Sequence, residues 1–363
     1  MSQGASATAS GLELREAQLA DLEPVARLMD AERPGAGRLW LTRMPWRGAR
    51  NPWSGGHPLG CVLIADGDCV GYYFAIAQPI VVGATTGIAT WGVDLYVRPD
   101  HRGGLASLAL IRAVHRLAHP MVVATDTANP LSAGIWLRLG AIPLPQGEVS
   151  LLLPIRWARV ALAMAARRVW GWQRPIAADE PDSWRGRVGE RVTTGGWRSG
   201  IATEFSGAAR LWSDVRHRFG LSTDRTPEFL AWRYGPGSPG GVVVMLHDRD
   251  GRARGWYAYR ISIRGARLPI RVVRVLDLVA APDDGPAIDA CIADLVHRAR
   301  GCAGDVIEVQ GLGASFRARF EAAAFRSQVR DANPFLVLPA GAKPDPADGE
   351  WHLVPADGDG GFS

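Results

Sequence analysis

Two stretches of this 363-residue chain match at a nearly fixed spacing, and that repeat constrains the fold more than any other feature. VDLYVRPDHRGG begins at Val93 and LDLVAAPDDGPA at Leu276, so that Asp94 falls on Asp277, Leu95 on Leu278, Pro99 on Pro282 and Asp100 on Asp283 at an offset of 183. The same offset carries Ser132 onto Ser315, Leu137 onto Phe320 and Ala141 onto Ala324, and an offset of 184 carries Gly71 and Tyr73 onto Gly255 and Tyr257. Matches in three separate elements imply an internal duplication, two copies of one α/β unit. The length agrees, at roughly 100–200 residues for each domain.

Within the first copy, apolar alternation predicts strands at 12–16, 61–65, 69–81 and 88–97, the second and third joined at the Asp66-Gly67-Asp68 turn. A helix is expected over 20–32 and a long loop with a short helix over 33–60. Helix 104–117, strand 121–126, helix 132–139 and a closing strand in 141–153 complete the unit. This order gives a leader at 1–11, a first domain at 12–153, a basic helix and linker at 154–200, a second domain at 201–340 and a loose tail at 341–363. In the tail, WHLVPADGD has enough apolar residues to dock locally.

The net charge of +5 suggests nucleic acid, yet arginine and acidic residues are interspersed almost everywhere, whereas a nucleic-acid footprint needs clustered charge. No nucleic-acid partner is therefore expected. Lys343 is the only lysine, which leaves no candidate for a Walker A, kinase or Schiff-base lysine in a folded context. The four cysteines, Cys61, Cys69, Cys291 and Cys302, match no metal spacing, so no metal is expected. No apolar run is long enough to span a bilayer, and a cytoplasmic location is the expectation.

Chemistry concentrates after Trp91. Trp91, Val93, Leu95 and Val97 are expected on one strand face, and Thr90, Gly92, Asp94 and Tyr96 on the other. Pro99 breaks the strand, Arg102-Gly103-Gly104 follows, and a helix begins at once. Such a turn offers unpaired backbone N–H groups and the positive end of a helix dipole, a place for a pyrophosphate. The second copy has Asp284-Gly285-Pro286-Ala287 there and lacks the arginine and paired glycines.

This stretch resembles the GNAT family of acyl-CoA-dependent transferases, whose strand, V-x-P-x-x-R-G-x-G-x-G/A loop and helix are matched by Val97, Pro99, Arg102, Gly103, Gly104 and Ala106 with one loop residue missing. Asn129 and the LRLGA ending at Ala141 continue the likeness, which covers 12–153 well and 201–338 faintly. It implies two fused GNAT-like domains, each a mixed, mostly antiparallel twisted sheet flanked by helices, with acetyl-CoA or another acyl-CoA as co-substrate. By the same resemblance Arg102, Gly103, Gly104, Leu105, Ala106 and Ser107 hold the pyrophosphate, Tyr96 and Val97 pair with the pantetheine, and Asn129 completes the site. Acyl transfer to an amine or hydroxyl, of a small molecule or an envelope-glycan precursor, is the implied reaction. A non-catalytic acyl-CoA-binding module and a Fem-type aminoacyl transferase are the alternatives. Trp136 stands seven residues after Asn129, where many members carry an acidic tyrosine.

Asp94 is the candidate general base, and a structural aspartate near the loop is the competing reading. His101 and His115 are expected to be solvated, and Ser132 to cap a helix. DRTPEFLAWRYG, from Asp224, reads either as a recognition surface or as a helix with Phe229, Leu230 and Trp232 in the core, the second being preferred. Finally, 155–172 is an arginine-bearing helix without acidic residues. It is expected to be buried between the two units, with peripheral contact to a membrane surface as the alternative.

Overall fold

The computed structural model describes residues 6–7, 11–56, 59–102, 105–117, 119–126, 128, 130–144, 149–170, 191–192, 195–238, 240–265, 268–329, 335–341, 344–345 and 349–354. Of the residues singled out above, Gly103, Gly104 and Asn129 lie outside the described residues.

Two mixed sheets carry the fold. The first runs Ser6–Ala7, Leu12–Glu16, Leu59–Ala65, Asp68–Val82, Thr85–Val97, Val122–Thr125, Leu336–Pro339, Ile142–Pro143, with Phe219–Thr223 paired to the far end of Asp68–Val82 and Glu350–His352 beside it. The second runs Arg326–Val329, Val149–Pro154, Val306–Gln310, Ile270–Ala280, Ala253–Arg264, Val242–His247, Arg198–Ile201, Arg191–Val192. Each sheet is mostly antiparallel with one parallel central pair, Thr85–Val97 with Val122–Thr125 and Ile270–Ala280 with Val306–Gln310; Phe219–Thr223 and Glu350–His352, off the main path of the first sheet, are also parallel. A parallel pair needs a crossover, supplied by the helices Ala106–Val114 and Gly285–Gly301.

The registers reproduce the duplication residue by residue. Gly71 faces Val97 as Gly255 faces Ala280; Tyr72 faces Tyr96 as Trp256 faces Val279; Ala75 faces Gly92 as Tyr259 faces Val275. The parallel pairs run from Ala89–Val122 to Trp91–Ala124 and from Val272–Val306 to Arg274–Glu308.

The two halves are interlocked by an exchange of strands. The segment 141–153 was expected to close the first sheet. Instead only Ile142–Pro143 stays there, and Val149–Pro154 crosses to lie between Val306–Gln310 and Arg326–Val329 of the second. In return, Leu336–Pro339 fills the matching place in the first sheet, between Val122–Thr125 and Ile142–Pro143. Apolar alternation announces a half-buried strand but carries no information about which of two equivalent edges receives it.

Three other expectations change. The region 33–60 holds a 12-residue helix, Ala36–Arg47, longer than the short helix foreseen. It crosses helix Leu22–Glu32 so closely that a Cβ on Gly37 would lie 2.0 Å from the Ala26 carbonyl oxygen, which only glycine permits. The basic helix, Trp157–Trp170, is not buried between the halves; it lies on the outer face of the second sheet, where Val160 and Ala163 meet Leu152, Ile270, Val272 and Val306. The tail docks: Trp351, His352, Leu353 and Val354 are buried.

Candidate functional site

The strand Thr85–Val97 does not alternate regularly. Its register against Asp68–Val82 slips between Tyr72 and Phe74, and Asp94 adopts φ 54°. A non-glycine residue with positive φ at a slipped register is a β-bulge, in which one extra residue reverses the facing of all that follow. The core confirms the reversal. Trp91 and Val93 pack into the cluster under the helices Leu22–Glu32 and Ala36–Arg47, whereas Leu95 and Val97 pack into the cluster under Ala106–Val114. The single face expected for Trp91, Val93, Leu95 and Val97 is thus broken at Asp94.

The bulge sits where the central parallel pair comes apart. The last paired residues are Trp91 and Ala124, and beyond them no further pairs form among the described residues. The Arg98 N–H donates to the Val70 carbonyl at 2.8 Å, so the alternation of the ladder turns the Val97 N–H and C=O the other way, toward the parted strand. Arg102 takes the Val97 carbonyl with its Nε at 2.6 Å, and its guanidinium lies 5.2 Å from the centre of the Tyr96 ring. The Tyr96 hydroxyl donates to Glu32 at 2.5 Å, and burial together with that carboxylate pushes the phenol above its usual range.

The helix Ala106–Val114 starts directly after this loop. Its N-cap, Leu105, is 75% exposed and supplies no side-chain cap to the first-turn amides. The second half contrasts sharply. There Asp284 accepts from the Ala287 N–H at 3.2 Å and is clamped by Arg254 at 2.7 Å. Pro286 removes one amide donor, and Arg319 lies so near that a Cβ on Gly285 would meet its guanidinium nitrogen at 1.6 Å. The second helix start thus already holds a carboxylate of its own chain.

The second parting is filled as well. Glu350 accepts from the Ser315 N–H at 2.8 Å, a Cβ on Gly311 would lie 2.0 Å from the Leu353 carbonyl oxygen, and His352 Nε2 lies 3.9 Å from Asp277. His352 is completely buried, between Phe219 and Phe316, and burial lowers it well below the usual histidine range.

Asp94 is held rather than free. Its Oδ2 accepts from the Trp40 indole at 2.9 Å and from Arg47 Nη1 at 2.5 Å. Arg47 is 3% exposed in its side chain and Asp94 18%. Sequence reasoning missed Arg47 and Trp40. The available signal was the Trp-Arg pair of MPWRG, echoed by LAWRYG in the second half. Asp277, the counterpart of Asp94, is likewise salt-bridged, at 2.8 and 2.9 Å to Arg225, with both groups fully buried.

The remaining candidates separate from this site. His101 is half-buried and its Nε2 accepts from Arg98 at 2.9 Å. His115, expected to be solvated, instead packs 4.8 Å from the ring of Trp136, and burial lowers it to about 4. Trp136 is itself buried. The stretch from Asp224 forms a helix, Pro227–Tyr234, capped by Thr226 and buried through Phe229, Leu230 and Trp232, as the core reading expects. Among the described residues no cluster of histidine, cysteine and carboxylate groups suits a metal ion.

No protein-family model and no curated protein matches the chain. Solved structures do match in fold. The N-myristoyltransferase of Saccharomyces cerevisiae with bound myristoyl-CoA superposes with a TM-score of 0.61 at 14% identity, over 98% of this chain and 85% of that one. A GCN5-related N-acetyltransferase from Anabaena variabilis gives 0.54 at 11% identity, over 91% and 73%. A probable N-acyltransferase from Enterococcus faecalis gives 0.54 at 10% identity, with the same coverage. The two-sheet fold of this chain is therefore the tandem GNAT-like fold, as its motifs implied.

Proposed function

We propose that this protein is an acyl-CoA-dependent acyltransferase whose first half alone binds the donor. The observation that carries the reading is the contrast between the two helix starts. The uncapped start at Ala106 follows a bulged, parted strand, whereas the equivalent start at Gly285 is occupied by Asp284. An anion at the first would receive backbone N–H groups and the helix dipole. Gly103 and Gly104 would let the backbone approach a pyrophosphate closely, and the outward amide of Val97 suits a pantetheine carbonyl.

In the reaction an amine or hydroxyl attacks the thioester carbonyl carbon. A bond from nitrogen or oxygen to carbon forms, the carbon–sulfur bond breaks, and the sulfur leaves as coenzyme A thiolate, which takes up a proton. The bulge places one backbone amide outside the sheet ladder, a donor suited to the developing oxyanion. Asp94 we assign to holding the bulge against Arg47 and Trp40, because Asp277 is anchored in the same way in the half whose helix start is closed. The acceptor we place on the side of Trp40 and Arg47, with small amines and envelope-glycan amino sugars as the first classes to try.

Calorimetry with acetyl-CoA and myristoyl-CoA, paired with free-thiol release across a panel of amines and amino sugars, tests this. Binding of either donor at one site per chain with thiol release supports the enzyme. Binding without thiol release for any acceptor favours a non-catalytic acyl-CoA-binding module, the reading that the tethered Asp94 and buried Trp136 support. No binding of either donor removes both.

A further inference from the structure

We infer that the helix Trp157–Trp170 seats the protein on an anionic lipid surface. A helix apolar on all sides is normally interior, yet this one is buried on one stripe only. Val160 and Ala163 face the second sheet. The outward positions Ala158, Ala161, Leu162, Ala165 and Val169, spaced as one helical face, are all exposed, Leu162 to 62% and Val169 to 73%. Trp157 and Met164 flank that face at 57% and 43%.

The patch continues beyond the helix. Leu268, 45% exposed, precedes Pro269, whose carbonyl accepts from Arg159 at 2.8 Å, and Arg326 of the edge strand lies 5.3 Å from the Trp157 ring. Trp157, Leu162, Met164, Val169 and Leu268 are five of the nine exposed large apolar side chains among the described residues, gathered around one element. Isolated exposed apolar residues need no explanation, but a contiguous group marks a contact surface.

Charge decides what covers it. The segment 155–172 carries Arg156, Arg159, Arg167 and Arg168 and no acidic residue. Arg156 and Arg159, about half exposed, lie 3.8 and 3.3 Å from one carboxylate oxygen of Asp305, which is itself 1% exposed. Two arginines thus share one buried carboxylate, and Arg168 and Arg326 add exposed positive charge around the same apolar face. A second copy of the chain would bring this basic fringe against itself. Anionic headgroups complement it, while the apolar face enters the acyl boundary beside tryptophan. At 14 residues the helix is about 21 Å long, too short to cross a bilayer, so it lies along the surface.

The full-length protein is tested by flotation with vesicles of phosphatidylcholine alone and of phosphatidylcholine mixed with phosphatidylglycerol, at low and high salt, beside sedimentation velocity. Binding to the mixed vesicles at low salt is expected, reduced about tenfold in Leu162→Glu/Val169→Glu and clearly weakened in Arg168→Glu. All three positions are exposed, so circular dichroism should show folded variants. No binding at low salt overturns the inference. So does binding unaffected by the double substitution, or a stable dimer that the double substitution dissolves, since the face would then be a protein interface.

Discussion

Trp46 and Trp232 stack face to face, ring centres 4.5 Å apart and planes 1° from parallel, and each indole N–H donates to the other residue's carbonyl, at 2.9 and 3.0 Å. The contact joins helix Ala36–Arg47 of the first half to helix Pro227–Tyr234 of the second, so it is a reciprocal joint on the molecule's internal symmetry. Arg233 lies 5.1 Å from the Trp46 ring, closing one side with a cation. Both tryptophans are buried, so their hydrogen bonds are made out of water's reach and are costly to leave unmade.

Trp232→Ala should therefore cost about 3–5 kcal/mol, from lost burial and from a buried Trp46 carbonyl that loses the Trp232 indole donor. Trp46→Ala should cost a similar amount, and the double variant much less than the sum, because both single changes break the same pair. Urea denaturation of the four proteins gives the coupling. Additive effects would show that the two halves are held mainly by the exchanged strands.

Donor binding separates the halves. Gly104→Glu places bulk and negative charge at the first helix start and should abolish acyl-CoA binding in calorimetry, while leaving the fold intact because the loop precedes the helix. The wild type should bind one donor per chain, since Asp284 and Arg319 already occupy the second start. Two equivalent sites, or unchanged affinity in the variant, would sink the assignment of the site to Ala106.

Much of this fold was legible in the sequence, for reasons that also set the limit. Strands such as Leu12–Glu16 and Val122–Thr125 announce themselves because each is decided locally by side-chain alternation. The duplicated offsets near 183 survive as exact registers, Gly71 with Val97 and Gly255 with Ala280. The bulge was hidden because WGVDLYV continues to alternate in polarity through Asp94, although the backbone does not. The swap of Val149–Pro154 for Leu336–Pro339 was hidden because the two edges are equivalent by duplication. The Trp46–Trp232 joint left a trace, Trp-Arg in both halves, but at an offset of 186 rather than 183. The exposed helix misled for the opposite reason: its apolar composition signals burial whether protein or lipid does the covering.

Asp94→Asn probes the bulge. The substitution removes the carboxylate facing the buried Arg47 and should lower stability by about 2 kcal/mol, less than for a fully buried pair because Asp94 is partly exposed. If Asp94 only holds the bulge, the pH profile of kcat keeps its acid limb in the variant. Loss of that limb with stability unchanged would instead identify Asp94 as the general base.

His115 predicts how stability responds to acid. Burial lowers it from its ordinary 6.5 to about 4 in the folded protein, and its Nε2 has no hydrogen-bond partner among the described residues. Below pH 6.5 the unfolded chain takes up a proton at this imidazole while the folded chain does not, so protonation favours unfolding. The stabilisation is fully present above 6.5 and is lost as pH falls toward 4, over which His115 accounts for a change on the order of 3 kcal/mol. His352, lowered in the same direction by burial and by Arg225, adds to the same slope. His115→Phe keeps an aromatic ring against Trp136 and removes the titration. Urea unfolding across this pH range should give a visibly flatter curve for the variant than for the wild type, the variant gaining in relative stability as the pH falls. Parallel curves would mean that His115 is protonated in the folded protein and that its contact with Trp136 opens in solution.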